Sequence, residues 1–181
     1  MRSHAVWDFH NWESLTRTWL QQRQVAHGSL HVVGFTEDES SRLLAALGQL
    51  LQRFPCVQPV LLQGDFTPGH LFFDDNLKFT GLVDFGQFQG GSPVFDIDLI
   101  LPNLYEGGPL WANRIQTEWL QEGYGPAPFW DTLTEQRLLY ALYNDLGVLH
   151  RFVTNNQVEP LAIVVPGLRK LLSLAETYLS I

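Results

Sequence analysis

Three aspartates stand where the chain changes direction between residues 60 and 100. Asp65 follows the apolar segment 59–63, Asp84 ends a later apolar segment, and Asp96 lies where a helical pattern begins. A hairpin between Asp65 and Asp84 would return the chain beside its starting point and bring both carboxylates to the same end of a small sheet. One carboxylate beside a reacting hydroxyl and a second on a divalent cation is the arrangement that phosphoryl transfer requires. Hard oxygen ligands of this kind favour Mg²⁺.

Short strands must position these aspartates. Residues 59–63 predict a buried strand, and residues 70–73 and 81–85 predict two further strands. The sequence Asp74-Asp75-Asn76 supplies turn residues between the last two. We therefore expect a hairpin over 70–84.

Helical patterns surround this hairpin. Thr36 and Glu39 have the spacing of a capping box at the start of a helix that Pro55 ends, and Thr132 and Glu135 predict a second box. Residues 27–35 indicate a loop or a short extended piece. The other predicted helices are 11–25, 94–104, 110–122, 132–153 and 166–179. The predicted fold class is α+β, mostly helical, in a single domain over residues 1–181.

Composition limits the function classes. The net charge of −8 argues against nucleic acid or an anionic membrane as a partner, because both attract basic surfaces. The single Cys56 excludes an internal disulfide and a metal site built from several cysteines. The sequence has no signal-peptide pattern and no apolar run that would span a bilayer. We expect a cytoplasmic protein.

The stretch LLQGDFTPGHLFFDD and the later FTGLVDFGQFQGGSPVFDIDLI resemble the catalytic segment of the aminoglycoside phosphotransferase and choline kinase-like family. The family pattern is His-Gly-Asp-x-x-x-x-Asn, a hairpin, Ile-Asp-Phe/Trp, Gly-Asp-Pro and Tyr-Asp-Leu-Ala. The resemblance is specific over about 60–100. It implies the C-terminal lobe of a protein-kinase-like fold, with ATP and Mg²⁺ as cofactors and a small-molecule hydroxyl as acceptor.

The resemblance also implies roles for individual residues. Asp65 takes the place of the catalytic base, Asp84 that of the Mg²⁺ ligand, and Asp96 that of the carboxylate that braces the catalytic loop. Gln63 replaces the family histidine, and its amide can both donate and accept hydrogen bonds. His70 replaces the metal-binding asparagine, and imidazole suits transition metals better than Mg²⁺.

A kinase-like enzyme also needs a glycine-rich loop and a strand lysine to hold the nucleotide. The only lysines are Lys78 in the predicted hairpin and Lys170 in the last helix, and no G-x-G-x-x-G occurs. We therefore expect that the N-terminal lobe is absent and that this truncated chain is incomplete or inactive alone. The alternative is a non-enzymatic, degenerate lobe that acts as a binding or interaction module. Either form is expected to associate with itself or with the missing lobe through its aromatic-rich start, at Trp7, Phe9, Trp12 and Trp19.

Two histidine features leave alternatives open. His27 and His31 have the spacing of a metal pair on a helix, but the Gly-Ser pair between them favours a loop and no third ligand is near. Asp145 and His150 share a predicted helix. They either reach an acceptor cleft or have solvated or capping roles.

Overall fold

The structure is a computed structural model that describes residues 24, 26–56, 59–105 and 114–180. It is mostly helical and has two small antiparallel sheets, in agreement with the predicted α+β class. The predicted helix at 11–25 lies outside the described residues except at position 24, and so do Trp7, Phe9, Trp12 and Trp19. The helices within the described ranges are α1 Ala26–Val32, α2 Glu37–Arg53, α3 Val94–Ile100, α4 Thr117–Tyr124, α5 Leu133–Thr154 and α6 Leu161–Leu179.

The capping box predicted for α2 is confirmed. The Thr36 hydroxyl accepts a hydrogen bond from the Glu39 backbone N–H, and the Glu39 carboxylate accepts one from the Thr36 N–H. The apolar side chains of α2 then face the core, where Leu43, Leu47 and Leu50 are fully buried. Local capping and burial of one face agree here, so the sequence pattern was sufficient to locate this helix.

The prediction of a loop at 27–35 was wrong, because residues Ala26–Val32 form α1. Glycine and serine have low intrinsic helix propensity, but packing overrides it here. Leu30 is fully buried, and the Ser29 hydroxyl lies 2.9 Å from Nδ1 of His150 on α5. The helix ends at Val32, and Gly34, whose φ of +87° favours glycine, then turns the chain towards α2.

The second predicted capping box was also wrong. A short 3₁₀ turn over Pro128–Thr132 runs directly into α5, and Thr132 makes no capping hydrogen bond to the helix backbone. Its hydroxyl instead accepts a hydrogen bond from the Gln136 side chain, with 2.9 Å between Oγ1 and Nε2. Because Pro128–Thr132 already forms a 3₁₀ turn, Thr132 lacks the extended backbone conformation that a capping threonine needs.

Three helix boundaries differ from the prediction. Helix α3 stops at Ile100, shortly before Pro102, and α4 begins only at Thr117. Helix α6 begins at Leu161, after Pro160, so Pro166 lies inside the helix and does not mark its start. Proline is most readily accommodated in the first turn of a helix. Both Pro160 and Pro166 could occupy that turn, so the sequence did not decide which of them marks the start of α6.

The two sheets each contain two strands. Strand β1, Val60–Leu62, pairs with β4, Gln89–Gly91. Strand β2, Leu71–Phe73, pairs with β3, Phe79–Leu82, so the hairpin predicted over 70–84 is confirmed. At its turn, the Asp74 carboxylate accepts hydrogen bonds from the backbone N–H groups of Asn76 and Lys78.

One cluster of buried apolar side chains joins the helices to β1. Helix α3 is fixed on this cluster by Phe95, which packs edge-on against Tyr140 with ring centroids 5.6 Å apart. An ion pair of 2.9 Å between Asp98 and Arg137 also ties α3 to α5. Helix α3 therefore offers a fixed support for the residue between these anchors, Asp96. No helix in the described part of the chain is long and apolar enough to cross a membrane.

Candidate active site

The candidate site lies where the C-terminal end of β1 is adjacent to the open end of the hairpin. Strand β1 leads directly into the loop that carries Asp65, and β3 leads into Val83 and Asp84. The Val83 N–H donates to the His70 carbonyl at 3.1 Å, which extends the hairpin ladder to its open end. This pairing sets His70 opposite the end of β3 and brings Asp84 to the loop after β1.

Asp65, His70 and Asp84 converge at this point. One carboxylate oxygen from each aspartate and one ring nitrogen of His70 all lie within 4.8 Å of one another. The His70 Nε2 is 3.8 Å from Oδ2 of Asp84. Both aspartates are exposed and His70 is half-buried, so the cluster opens to solvent. The two carboxylates lie closer than the span of about 8 Å that a bridging metal ion would permit.

The hydrogen bonds of His70 define its tautomer. Its Nδ1 lies 2.8 Å from the Asp65 carbonyl oxygen, which can only accept, so Nδ1 carries the proton. The Gln63 Nε2 lies 3.4 Å from the same ring nitrogen, which is too long for a competing hydrogen bond of comparable strength. In the neutral ring, the lone pair is therefore on Nε2, the nitrogen that faces Asp84.

Gln63 connects the two halves of the site. It is buried, and its Oε1 accepts a hydrogen bond of 2.8 Å from the Asp65 N–H. Its Nε2 donates to the Asp84 carbonyl at 2.6 Å. The Gln63 amide thus accepts a hydrogen bond from the backbone of Asp65 and donates one to the backbone of Asp84, because an amide has both an acceptor and a donor.

Asp96 on α3 anchors the loop that carries Asp65. Its two carboxylate oxygens accept hydrogen bonds from the backbone N–H groups of Gln63, at 2.8 Å, and Gly64, at 2.9 Å. Burial raises the pKa of Asp96 above its ordinary value, and these two hydrogen bonds partly oppose the rise. The family resemblance implied that Asp96 braces this loop, and the two hydrogen bonds are the contacts that such a role requires.

Backbone geometry restricts two positions in the site. Gly64 has φ +81°, and a Cβ atom there would lie 2.2 Å from the Gln87 carbonyl oxygen. Asp84 adopts a left-handed conformation at φ 61°, which is uncommon for a residue other than glycine, and its side chain accepts a hydrogen bond from the Gly86 N–H. The backbone conformations of Gly64, which precedes Asp65, and of Asp84 itself therefore restrict the directions of the Asp65 and Asp84 side chains.

A cavity of about 380 Å³ lies beside the loop. Asp96 and the residue after Asp65, Phe66, form part of its wall. Sequence reasoning missed this cavity because its aromatic wall comes from segments far from the hairpin. Those aromatic residues are Trp119, Tyr124 and Trp130.

The other acidic and histidine candidates have structural partners. The Asp145 carboxylate accepts a hydrogen bond of 2.6 Å from the Tyr105 hydroxyl, and burial raises the pKa of Asp145 to about 7. His150 bonds to Ser29 on α1. Neither residue lines the cavity beside Asp65. Both side chains join elements of the fold.

A model of the family described as the phosphotransferase enzyme family matches residues 4–130. This match covers well over half of the chain, so the chain belongs to that family. The resemblance predicted from the segment at 60–100 is confirmed, and family membership indicates a phosphotransferase type of function. No curated protein matched the chain, and no solved structure matched it.

Proposed function

We propose that this chain is the C-terminal catalytic lobe of an ATP-dependent kinase that phosphorylates a hydroxyl group of a small molecule. The observation that carries the proposal is the convergence of Asp65, His70 and Asp84 within 4.8 Å. Membership of the phosphotransferase family supports the class of reaction. The braces from Gln63 and Asp96 support the same assignment, because phosphoryl transfer depends mainly on positioning and charge stabilisation.

Asp65 is the proposed base. Its carboxylate is exposed, while its backbone is held by Gln63. In the reaction the acceptor hydroxyl gives its proton to Asp65, the hydroxyl oxygen bonds to the γ-phosphorus, and the bond to the leaving ADP breaks. The cavity beside Phe66 is the proposed acceptor site, and its aromatic wall suits a small molecule with apolar surface.

Asp84 is the proposed ligand for Mg²⁺. Carboxylate oxygens from Asp84 and Asp65 are hard donors of the kind that Mg²⁺ takes, so these two residues fit the ion. A magnesium ion there would neutralise phosphate charge during transfer. The His70 Nε2 contributes a nitrogen to the same cluster, and nitrogen donors favour Zn²⁺ over Mg²⁺. We therefore expect weaker Mg²⁺ binding than an asparagine at position 70 would give.

The chain alone is expected to be inactive. Lys78 belongs to the turn at the far end of the hairpin, and Lys170 belongs to α6, so neither lysine is placed as a phosphate-binding strand lysine. A nucleotide-binding lobe would also cover the hairpin, whose aromatic side chains are about half exposed. The hairpin aromatic surface consists of Phe72, Phe73 and Phe79 in the hairpin, together with Phe85 and Phe88 in the segment that follows it.

The same surface favours a second candidate function. Large exposed apolar groups mark interaction sites, so a degenerate lobe that binds a partner is the alternative. The two functions differ in the importance of the Asp65 carboxylate. It is essential for phosphoryl transfer and dispensable for binding through the hairpin aromatic surface.

An ADP-release assay over a panel of hydroxyl compounds tests the proposal. The chain is assayed alone and with a nucleotide-binding lobe of another family member supplied in cis or in trans. We expect turnover only with the added lobe, and loss of that turnover in Asp65→Asn. The matched control is Asp75→Asn, an exposed aspartate in the hairpin turn that should keep full activity.

Each other outcome has a defined meaning. Turnover by the unmodified chain that Asp65→Asn abolishes would show that the lobe acts alone and would contradict the expected inactivity. Turnover that survives Asp65→Asn would contradict the role of the base. Binding of the added lobe without turnover for any acceptor would favour the interaction module.

A further inference from the structure

A second cluster of potential metal ligands lies on α1 and α2. The Nε2 atom of His27 is 3.3 Å from one carboxylate oxygen of Glu37, and the Nε2 atom of His31 is 2.9 Å from the other. The ligand atoms of all three residues lie within 4.8 Å of one another. None of these residues belongs to the candidate active site.

The local fold explains why these three side chains meet. His27 and His31 are four residues apart on α1, so their rings share one face of the helix, with centroids 4.8 Å apart. Gly34 then reverses the chain, and Glu37 is the first residue of α2. The sequence favoured a loop at these histidines and showed no third ligand near them. In the structure both histidines lie on α1, and Glu37 is the third potential ligand.

The surroundings keep the turn in place and leave Glu37 available. Arg169 of α6 donates a hydrogen bond of 3.0 Å to the Gly34 carbonyl oxygen, which fixes the turn between α1 and α2. The neighbouring Asp38 pairs with Arg42 at 2.8 Å. Among the described residues, the ion pairs of Glu37 are with His27 and His31 only.

The donor set selects a class of metal ion. Two imidazole nitrogens and one carboxylate are ligands of Zn²⁺ and similar transition metals, and not the all-oxygen set of Mg²⁺ or Ca²⁺. Ligands about 2.0 Å from a tetrahedral Zn²⁺ are roughly 3.3 Å apart, close to the separations between the histidines and Glu37. The side chains are partly exposed, at 34% for His27, 39% for His31 and 72% for Glu37, so an ion can enter and keep a water ligand.

We propose that His27, His31 and Glu37 bind a divalent transition metal ion of the Zn²⁺ type, which links α1 to α2. The link spans the one turn that joins these helices. Because α1 packs on α5 through Leu30 and Ser29, a metal that holds α1 to α2 also stabilises that packing.

The test must separate this cluster from the one at Asp65, His70 and Asp84, which also contains an imidazole. Zn²⁺ binding to the 181-residue chain is measured by titration calorimetry, and Co²⁺ is used as a spectroscopic probe of nitrogen and oxygen ligation. The variant His70→Asn removes the nitrogen of the other cluster. We expect this variant to retain one Zn²⁺ equivalent and to gain thermal stability when Zn²⁺ is added.

Further variants in the His70→Asn background test the ligands. His31→Gln and Glu37→Gln should each weaken Zn²⁺ binding by about tenfold or more, because a lost ligand costs at least as much as a lost supporting hydrogen bond. The matched control Asp38→Asn removes the neighbouring exposed carboxylate and should leave the affinity unchanged. Circular dichroism checks that each variant keeps its helices.

Three results would overturn the proposal. One is unchanged Zn²⁺ affinity in a His27→Gln/His31→Gln double variant that remains folded. Another is the absence of Zn²⁺ binding in the folded His70→Asn protein, which would leave the two histidines as ion-pair partners of Glu37. An equal loss in Asp38→Asn and Glu37→Gln would also contradict it, because it would indicate a general charge effect.

Discussion

The side-chain amide of Gln63 donates a hydrogen bond to the backbone carbonyl of Asp84, with 2.6 Å between Nε2 and O. The two residues are 21 positions apart, and the whole hairpin lies between them. Because Gln63 directly follows β1, this bond fastens the open end of the hairpin to the strand that leads into the Asp65 loop. Since the same side chain accepts a hydrogen bond from the Asp65 N–H, Gln63 joins the backbones of Asp65 and Asp84 directly.

Gln63→Leu should therefore destabilise the protein and loosen the site. The substitution keeps the buried volume but removes the partners of the Asp65 N–H and the Asp84 carbonyl, and we expect a loss of about 1–3 kcal/mol in the free energy of unfolding. Urea denaturation measures this loss. Gln52→Leu, on the exposed side of α2, is the control and should stay within about 0.5 kcal/mol of the wild type. Equal effects of the two substitutions would show that the Gln63 bridge contributes nothing specific.

Gly64→Ala should be more damaging than an ordinary glycine substitution. The new Cβ would lie 2.2 Å from the Gln87 carbonyl oxygen, at a φ of +81° that disfavours alanine. We expect a loss of about 2–4 kcal/mol in the free energy of unfolding. Gly123→Ala is the control, because it lies in α4 with nothing within 4 Å of its Cβ, and it should stabilise the helix by about 0.5–1 kcal/mol. A Gly64→Ala protein as stable as the wild type would contradict the described loop conformation.

Asp145→Asn should change how stability depends on pH. Burial raises the pKa of Asp145 to about 7, whereas an aspartate in the unfolded chain titrates near its ordinary pKa of 3.8, so the folded state binds the extra proton between these pH values. The stability contribution of this group is complete at low pH and is lost as the pH rises through 7. Asparagine keeps an oxygen to accept the Tyr105 hydrogen bond and carries no charge at any of these pH values.

The expected difference appears at pH 8. There the Asn variant should exceed the wild type in stability by on the order of 2–4 kcal/mol, while near pH 4 the two should be similar. Chemical denaturation at several pH values measures this. The exposed Asp131→Asn serves as control and should retain the wild-type pH profile. An unchanged profile in Asp145→Asn would mean that the buried carboxyl does not titrate in this range.

Restoring the family residues should improve Mg²⁺ binding without producing turnover. In Gln63→His/His70→Asn, an amide oxygen replaces the imidazole nitrogen near Asp84, and we expect the affinity of this site for Mg²⁺ to rise by on the order of tenfold. Competition of Mg²⁺ against Mn²⁺, followed by electron paramagnetic resonance, measures the change. The chain without an added nucleotide-binding lobe should still release no acceptor-dependent ADP. If the Mg²⁺ affinity is unchanged, His70 is not part of the cation site.

The hairpin was predictable from sequence because its turn residues and its short apolar runs are adjacent along the chain. The convergence of Asp65 and Asp84 followed from that topology alone. Helix α1 could not be predicted, since the residues that stabilise it against the low propensity of Gly28 and Ser29 belong to α5. The aromatic cavity could not be predicted for the same reason, because Trp119 and Trp130 line the same cavity as Phe66 only in the folded chain.

The hairpin that carries half of the site contains only two strands, and most of its side chains are exposed. Such hairpins are marginally stable by themselves, so its amides should exchange with solvent deuterium faster than those of α2 and α5. Opening it would move His70 and Asp84 away from Asp65, which Asp96 keeps on the helical framework. If Asp84 and Asp65 hold a cation as proposed, binding of that cation would also close the hairpin. It should then slow deuterium uptake at Leu71 and Phe73, two hairpin residues outside the cluster of Asp65, His70 and Asp84.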